Sequence, residues 1–164
     1  MNRPDLIAQK IFSGAAIQQQ IARWRLSSKT VAFTNGVFDI LHQGHIFSLS
    51  EAAKEAAYLV VGVNSDASVK RLKGESRPVN DQDSRALLLA SLAIVDAVAI
   101  FDEDTPLQLI CSIMPDVLVK GGDYTVEQVA GAKEVLANGG RVVINPILQG
   151  FSTTEIIQQI QKWT

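Results

Sequence analysis

The chain has 164 residues, 47% of them hydrophobic and 20% charged, with a formal net charge of −2. This composition suits one folded domain and gives no electrostatic support to a nucleic-acid-coating role. The one cysteine, Cys111, excludes an intrachain disulfide and a cysteine-based zinc cluster within this sequence. No apolar run approaches the roughly 20 residues that span a bilayer, and no secretory signal is visible near the N-terminus. A cytoplasmic protein is expected, with neither membrane nor nucleic acid as partner.

In chain order, residues 1–28 read as a helical segment in which Ile17, Ile21 and Trp24 share one face. Residues 29–164 read as a single domain in which short apolar runs alternate with helical patterns. The strand candidates are Thr30–Thr34, Tyr58–Val63, Ala97–Phe101, Val117–Lys120 and Arg141–Asn145. Each is rich in Val or Ile with little polar alternation, as in strands covered on both faces of a parallel sheet. Helical stretches fall at about Gly44–Ala57, Gln82–Leu92, Pro106–Ile113, Val126–Ala137 and Thr154–Lys162. The alternation predicts an α/β, Rossmann-like, doubly wound sheet of about five parallel strands. Asp104-Thr105-Pro106 reads as a helix start, Ser152 and Glu155 as a capping box, and Asn138-Gly139-Gly140 as a helix stop. Lys70, Arg71, Lys73 and Arg77 cluster near Gly74 and Pro78, which predicts a mobile basic loop able to close over phosphates.

The richest chemistry lies in Thr34-Asn35-Gly36-Val37-Phe38-Asp39-Ile40-Leu41-His42-Gln43-Gly44-His45, between the first strand of this domain and its first long helix. Ligands of open α/β sheets sit at strand carboxyl ends and against helix N-termini. Both histidines of the chain fall here, and two imidazoles at such a turn can donate hydrogen bonds to a transferring phosphoryl group. Two other readings stand beside this one. One is a pair of buried histidines bonded to backbone; the other is a zinc site from His42, His45 and Asp39, which no further Cys or His can complete.

The same residues resemble the signature of the cytidylyltransferase-like nucleotidyltransferases, T-x-G-x-F-D-x-x-H-x-G-H, and Ser152-Thr153-Thr154 resembles that family's second signature. Val63-Asn64-Ser65-Asp66, Lys70-Arg71-Leu72-Lys73-Gly74, Arg77-Pro78-Val79, Phe101 to Pro106, Pro115 to Tyr124 and Gly131 to Glu134 are similar to the D-glycero-β-D-manno-heptose 1-phosphate adenylyltransferase branch. The resemblance implies transfer of AMP from ATP to a sugar 1-phosphate, with a separate kinase supplying that substrate. It implies phosphate contacts by His42, His45 and Lys70 as catalytic residues. A nucleotide site is implied at Thr34, Asn35, Gly36, Val37, Phe38, Gly44, Lys120, Gly121, Gly122, Asp123, Ser152, Thr153 and Thr154. Asp39, Asn64, Asp66, Lys73 and Arg77 are implied as substrate-binding. Mg²⁺ is expected to be held mainly by the ATP phosphates, with no protein metal site, and a homo-oligomer, a dimer, is expected. Ile147 stands where the glycerol-phosphate cytidylyltransferase branch has arginine, and Val37 where many relatives have Cys. Such a cytidylyltransferase and a non-catalytic nucleotide-sensing module are the alternatives.

Overall fold

The computed structural model describes residues 5–163. Among them, one sheet of six strands forms: β1 Ile11–Phe12, β2 Val31–Gly36, β3 Tyr58–Asn64, β4 Ala97–Phe101, β5 Val117–Gly121 and β6 Arg141–Asn145. Their spatial order is β1-β4-β3-β2-β5-β6 and every pairing is parallel. The helices are α1 Asp5–Ala8, α2 Gly14–Leu26, α3 Gln43–Ala53, α4 Asp66–Lys73, α5 Gln82–Ala90, α6 Leu107–Ile113, α7 Ala132–Ala137 and α8 Thr153–Gln161.

The apolar runs explain the layers. On one face Phe33, Val60, Ala97 and Leu118 pack with Ile17 and Ile21 of α2, Ile110 and Ile113 of α6, and Val135 of α7. On the other, Ala32, Val61, Val98 and Val119 pack with Leu49 and Ala52 of α3 and Ala86 and Leu89 of α5. Alternate residues of each strand thus serve opposite cores, so neither strand face can be polar.

Four expectations change. The sheet has a sixth strand, because Ile11–Phe12 pairs with Val98 and Ala99 at the edge. Two residues carry no readable period; Lys10 carbonyl accepting from Val98 N at 2.8 Å and Lys10 Nζ donating to Val95 O at 2.7 Å hold them there. Residues Lys70, Arg71 and Lys73, expected on a loop, lie on α4. Ser65 caps that helix by accepting from Ser68 N at 3.0 Å, and its basic residues sit in the last turn, where cations favour the helix. Ser152 precedes α8 as expected, but its side chain makes no capping bond. The stretch 126–137 is also divided, into a short 3₁₀ turn at Val126–Gln128 and α7.

The order of strands places the topological switch between β2 and β5. From β2 the chain winds outward through β3 and β4, then returns to β5 on β2's other side. Strands β2 and β3 stay in register from Val31↔Tyr58 to Gly36↔Val63, whereas β2 and β5 pair only at Ala32↔Val117 and Phe33↔Leu118. Beyond Phe33 the two strands separate, and a crevice opens at their carboxyl ends, where open α/β sheets bind ligands.

Candidate active site

Strand β2 delivers Thr34, Asn35 and Gly36 to this crevice, and the chain then turns into α3, with His42 as N-cap and His45 in the first turn. The imidazoles stack, with centroids 3.8 Å apart and planes 21° from parallel. Phe38 places its ring edge toward His45 at 5.3 Å, and Phe151 lies over His42 at 6.5 Å. Phe38 adopts φ 51°, in the left-handed region that a bulky side chain normally avoids, and is buried. Gly36 permits its ring position, since a Cβ there would lie 3.0 Å from the Phe38 ring. A Cβ at Gly44 would meet Phe151 Cβ at 3.0 Å and the His42 ring at 3.1 Å, so only glycine lets these groups close on one another.

Burial, followed by the charges of His42 and Lys73, pushes His45 down to about 4, so it is neutral at pH 7; burial lowers His42 as well. The Nδ1 atoms of both rings are buried; His42 Nδ1 has no hydrogen-bond partner, and a backbone hydrogen bond with Ile40 partly offsets the lowering at His45.

Helix α8 supplies the opposite wall. Thr153 Oγ1 donates to Ile40 O at 3.4 Å, bringing the second motif against the first across 113 positions. His42, Gly44, His45, Lys73, Gly121 and Ser152–Thr154 line a chamber of about 290 Å³, together with Ser48, Ile147 and Phe151. A second chamber, of about 400 Å³, lies beside Asn35, Gly36, Val37, Asn64, Lys73 and Lys120. Between them a space of about 200 Å³ is bordered by Thr34–Phe38, His45, Ser48, Lys120 and Gly121.

The remaining expected residues fall elsewhere. Asp39 is buried, and its carboxylate accepts from Arg77 Nε at 2.6 Å, Val79 N at 2.8 Å and Asn80 N at 3.0 Å. Asp66 accepts from Arg85 Nη2 at 2.7 Å. Arg85 is fully buried and also donates to Val37 O at 2.7 Å and Asn80 O at 3.0 Å, bracing the signature turn against residues 77–80. Asp39, Asp66 and Arg77 are thereby engaged with the protein itself. Lys70 faces the exposed Glu75 at 4.0 Å and borders none of the three chambers; Asp123 is exposed and borders none either. Gly122, at φ 121°, turns the chain toward Tyr124. Ser48 and Phe151 line the chamber without belonging to either motif. Ser48 stands three residues after His45 on one helix, a spacing that puts both on the same face; Phe151 precedes the Ser-Thr-Thr motif with no distinguishing pattern.

Among the described residues no cluster of His, Cys, Asp and Glu could hold a metal ion, and no helix is long and apolar enough to cross a membrane. With Asp39 and Asp66 engaged, the chambers offer imidazoles, hydroxyls, amides, ammonium groups and the carboxylate of Asp104, which Arg71 holds. Such a donor set would leave a divalent ion to the phosphates that carry it.

Comparison with known proteins agrees with this geometry. Residues 33–159 match the family model described as cytidylyltransferase-like. The chain is 54% identical over 151 residues to the bifunctional protein HldE of Rhodopseudomonas palustris (strain BisA53), covering 92% of this chain and 31% of that protein. It therefore spans about a third of the length of the curated relatives it matches. The crystal structure of the lipopolysaccharide core biosynthesis protein from Thermoplasma volcanium superposes with a TM-score of 0.59 at 32% identity, covering 73% of this chain and 97% of that one. The pantoate-beta-alanine ligase from Francisella tularensis, at 17% identity and a TM-score of 0.55 over 93% of this chain and 77% of its own, shares the fold. The family match takes in the end of β2, the histidine turn and the start of α8, and on that basis the chain belongs to the cytidylyltransferase-like family of nucleotidyltransferases.

Proposed function

We propose that the protein transfers AMP from ATP to D-glycero-β-D-manno-heptose 1-phosphate, yielding ADP-heptose and pyrophosphate for lipopolysaccharide core or related glycan precursors. The observation that carries this reading is the stacked His42–His45 pair, facing the N-terminus of α8 across one chamber. A phosphate monoester has a second pKa near ~6, so its dianion is abundant at pH 7 and needs no protein base. One of its oxygens attacks the α-phosphorus of ATP in line; the bond from that phosphorus to the bridging oxygen breaks, and pyrophosphate leaves. The protein's task is to position two polyanions and to stabilise charge on the reacting phosphorus and the leaving group.

His42 and His45 donate to the α- and β-phosphates. As neutral rings they strengthen those bonds as negative charge develops, without holding the ground state too tightly. Ser152, Thr153 and Thr154, with the α8 N-terminus, receive the β- and γ-phosphates. Mg²⁺, brought by ATP, screens the phosphate charge. The choice of adenine and of the heptose rests on the resemblance of Lys120–Tyr124 and Asp104-Thr105-Pro106, and on Ile147 in place of arginine.

A panel of nucleoside triphosphates against sugar 1-phosphates, scored by pyrophosphate release, tests the proposal. The expected result is highest turnover with ATP and the heptose 1-phosphate. Efficient use of CTP with glycerol 3-phosphate, and none of ATP, would reassign the enzyme. Pyrophosphate release with no pair at all would leave a nucleotide-sensing module.

A further inference from the structure

Lys120 is a half-buried cation at the crevice. It leaves β5 just beyond the last β2–β5 pair, where the strands have separated, and its Nζ reaches toward Asn35 Oδ1 at 3.4 Å. Its other neighbour is the Tyr124 ring, whose centroid lies 5.5 Å from Nζ. Nearby guanidinium groups all have a carboxylate: Arg71 pairs with Asp104, Arg77 with Asp39 and Arg85 with Asp66. Lys120 forms no ion pair with any carboxylate among the described residues. Burial lowers its pKa, the cost of holding an ammonium away from water without a counter-ion. A dianion delivered to Nζ removes that cost.

The placement of Lys120 says which dianion. It borders the 400 Å³ chamber and the middle space, and is absent from the chamber of His42 and Ser152–Thr154. The triphosphate therefore has its donors on one side of Gly36 and Val37, and Lys120 faces the other. There Asn35, Asn64 and Thr105 offer amide and hydroxyl groups suited to a polyol, the carboxylate of Asp104 is held by Arg71, and Lys73 borders this chamber as well as the triphosphate one. An acceptor phosphate on Lys120 would stand in the middle space, next to His45, where its oxygen can face the α-phosphorus. We propose that the ε-ammonium of Lys120, between Asn35 and Tyr124, binds and orients the phosphate of the acceptor sugar. This rests on the transfer reaction above and moves Lys120 from the nucleotide site to the acceptor site.

The test uses Lys120→Met and Lys120→Arg in the full chain, with ATP and sugar 1-phosphate varied separately. Lys120→Met should raise KM for the sugar phosphate by about 10- to 100-fold, the range of one charge-assisted hydrogen bond, and leave the Kd for ATP within about 3-fold. Lys120→Arg should recover much of the loss, and retained ATP binding shows that each variant is folded. A loss of ATP affinity equal to the loss in acceptor KM, or an unchanged acceptor KM, would overturn the assignment. Calorimetry with inorganic phosphate, the triphosphate chamber filled by the magnesium complex of α,β-methylene-ATP, decides the matter apart from turnover. Phosphate should bind the wild-type protein and not Lys120→Met; equal binding to both, or none to either, overturns it. Wild-type protein that binds phosphate through Lys120 yet transfers to no sugar 1-phosphate would refute the proposed reaction and keep the anion site.

Discussion

The rings of His42 and His45 lie face to face, 3.8 Å between centroids, so that protonating one opposes protonating the other. Burial lowers both rings, and the charges of His42 and Lys73 lower His45 further, so the pair is a neutral hydrogen-bonding surface at pH 7. Replacing His45 by Ala should lower kcat about 10²-fold or more, with a smaller effect on ATP affinity, because the donor is aimed at charge that develops during transfer. Steady-state kinetics beside ATP calorimetry would check this. Lost ATP binding with unchanged kcat would make His45 a ground-state contact only.

The depressed pKa of His45 also predicts how stability varies with pH. Its ordinary value is 6.5 and its folded value about 4, so between these the unfolded chain binds more protons than the folded one. Stability contributed by the neutral ring is present above 6.5 and lost as pH falls toward 4. Urea titrations across this window should show a shallower loss for His45→Gln than for wild type. Parallel slopes would mean that the ring is not held neutral by the fold.

Asp39 holds the turn that carries Phe38. Breaking its buried pair with Arg77 by Asp39→Asn should cost about 3 kcal/mol of stability, since a guanidinium would be left without its counter-charge. The amides of Val79 and Asn80, which donate to the same carboxylate, should lose hydrogen-exchange protection. Unchanged protection there would show that the turn is held by packing alone.

Gly44→Ala should separate the rings from Phe151, because the added Cβ lies only 3.0–3.1 Å from both neighbours. We expect kcat/KM to fall by about 10-fold or more through misplacement of the donors, with little change in melting temperature. Wild-type kinetics in this variant would show that the ring spacing is immaterial.

The layers and the chamber differed in how legible they were. Val31 to Thr34, Tyr58 to Val63 and Ala97 to Phe101 announce buried parallel strands by composition alone, and the two short motifs, expected at one site, do line one chamber. Ile11–Phe12 could not be read, since a two-residue strand has no period and exists through contacts with Val98 and Ala99. The basic residues of α4 mimic a solvated loop because their helix buries little beyond Ser68 and Val69. Asp39 and Asp66 look like free ligands in sequence; their partners Arg77, Asn80 and Arg85 lie 19 to 41 positions away and become visible only when the fold brings them together. The splay between β2 and β5 beside Lys120 is likewise a property of register.

The central claim is direct attack of a sugar phosphate on the α-phosphorus of ATP, and oxygen tracing tests it most directly. Heptose 1-phosphate carrying heavy oxygen in its non-bridging positions is incubated with unlabelled ATP, Mg²⁺ and the protein, and the products are weighed by mass spectrometry. The account predicts ADP-heptose that retains every labelled oxygen and pyrophosphate that contains none. Label in the pyrophosphate, or release of free AMP with no nucleotide sugar formed, would contradict it.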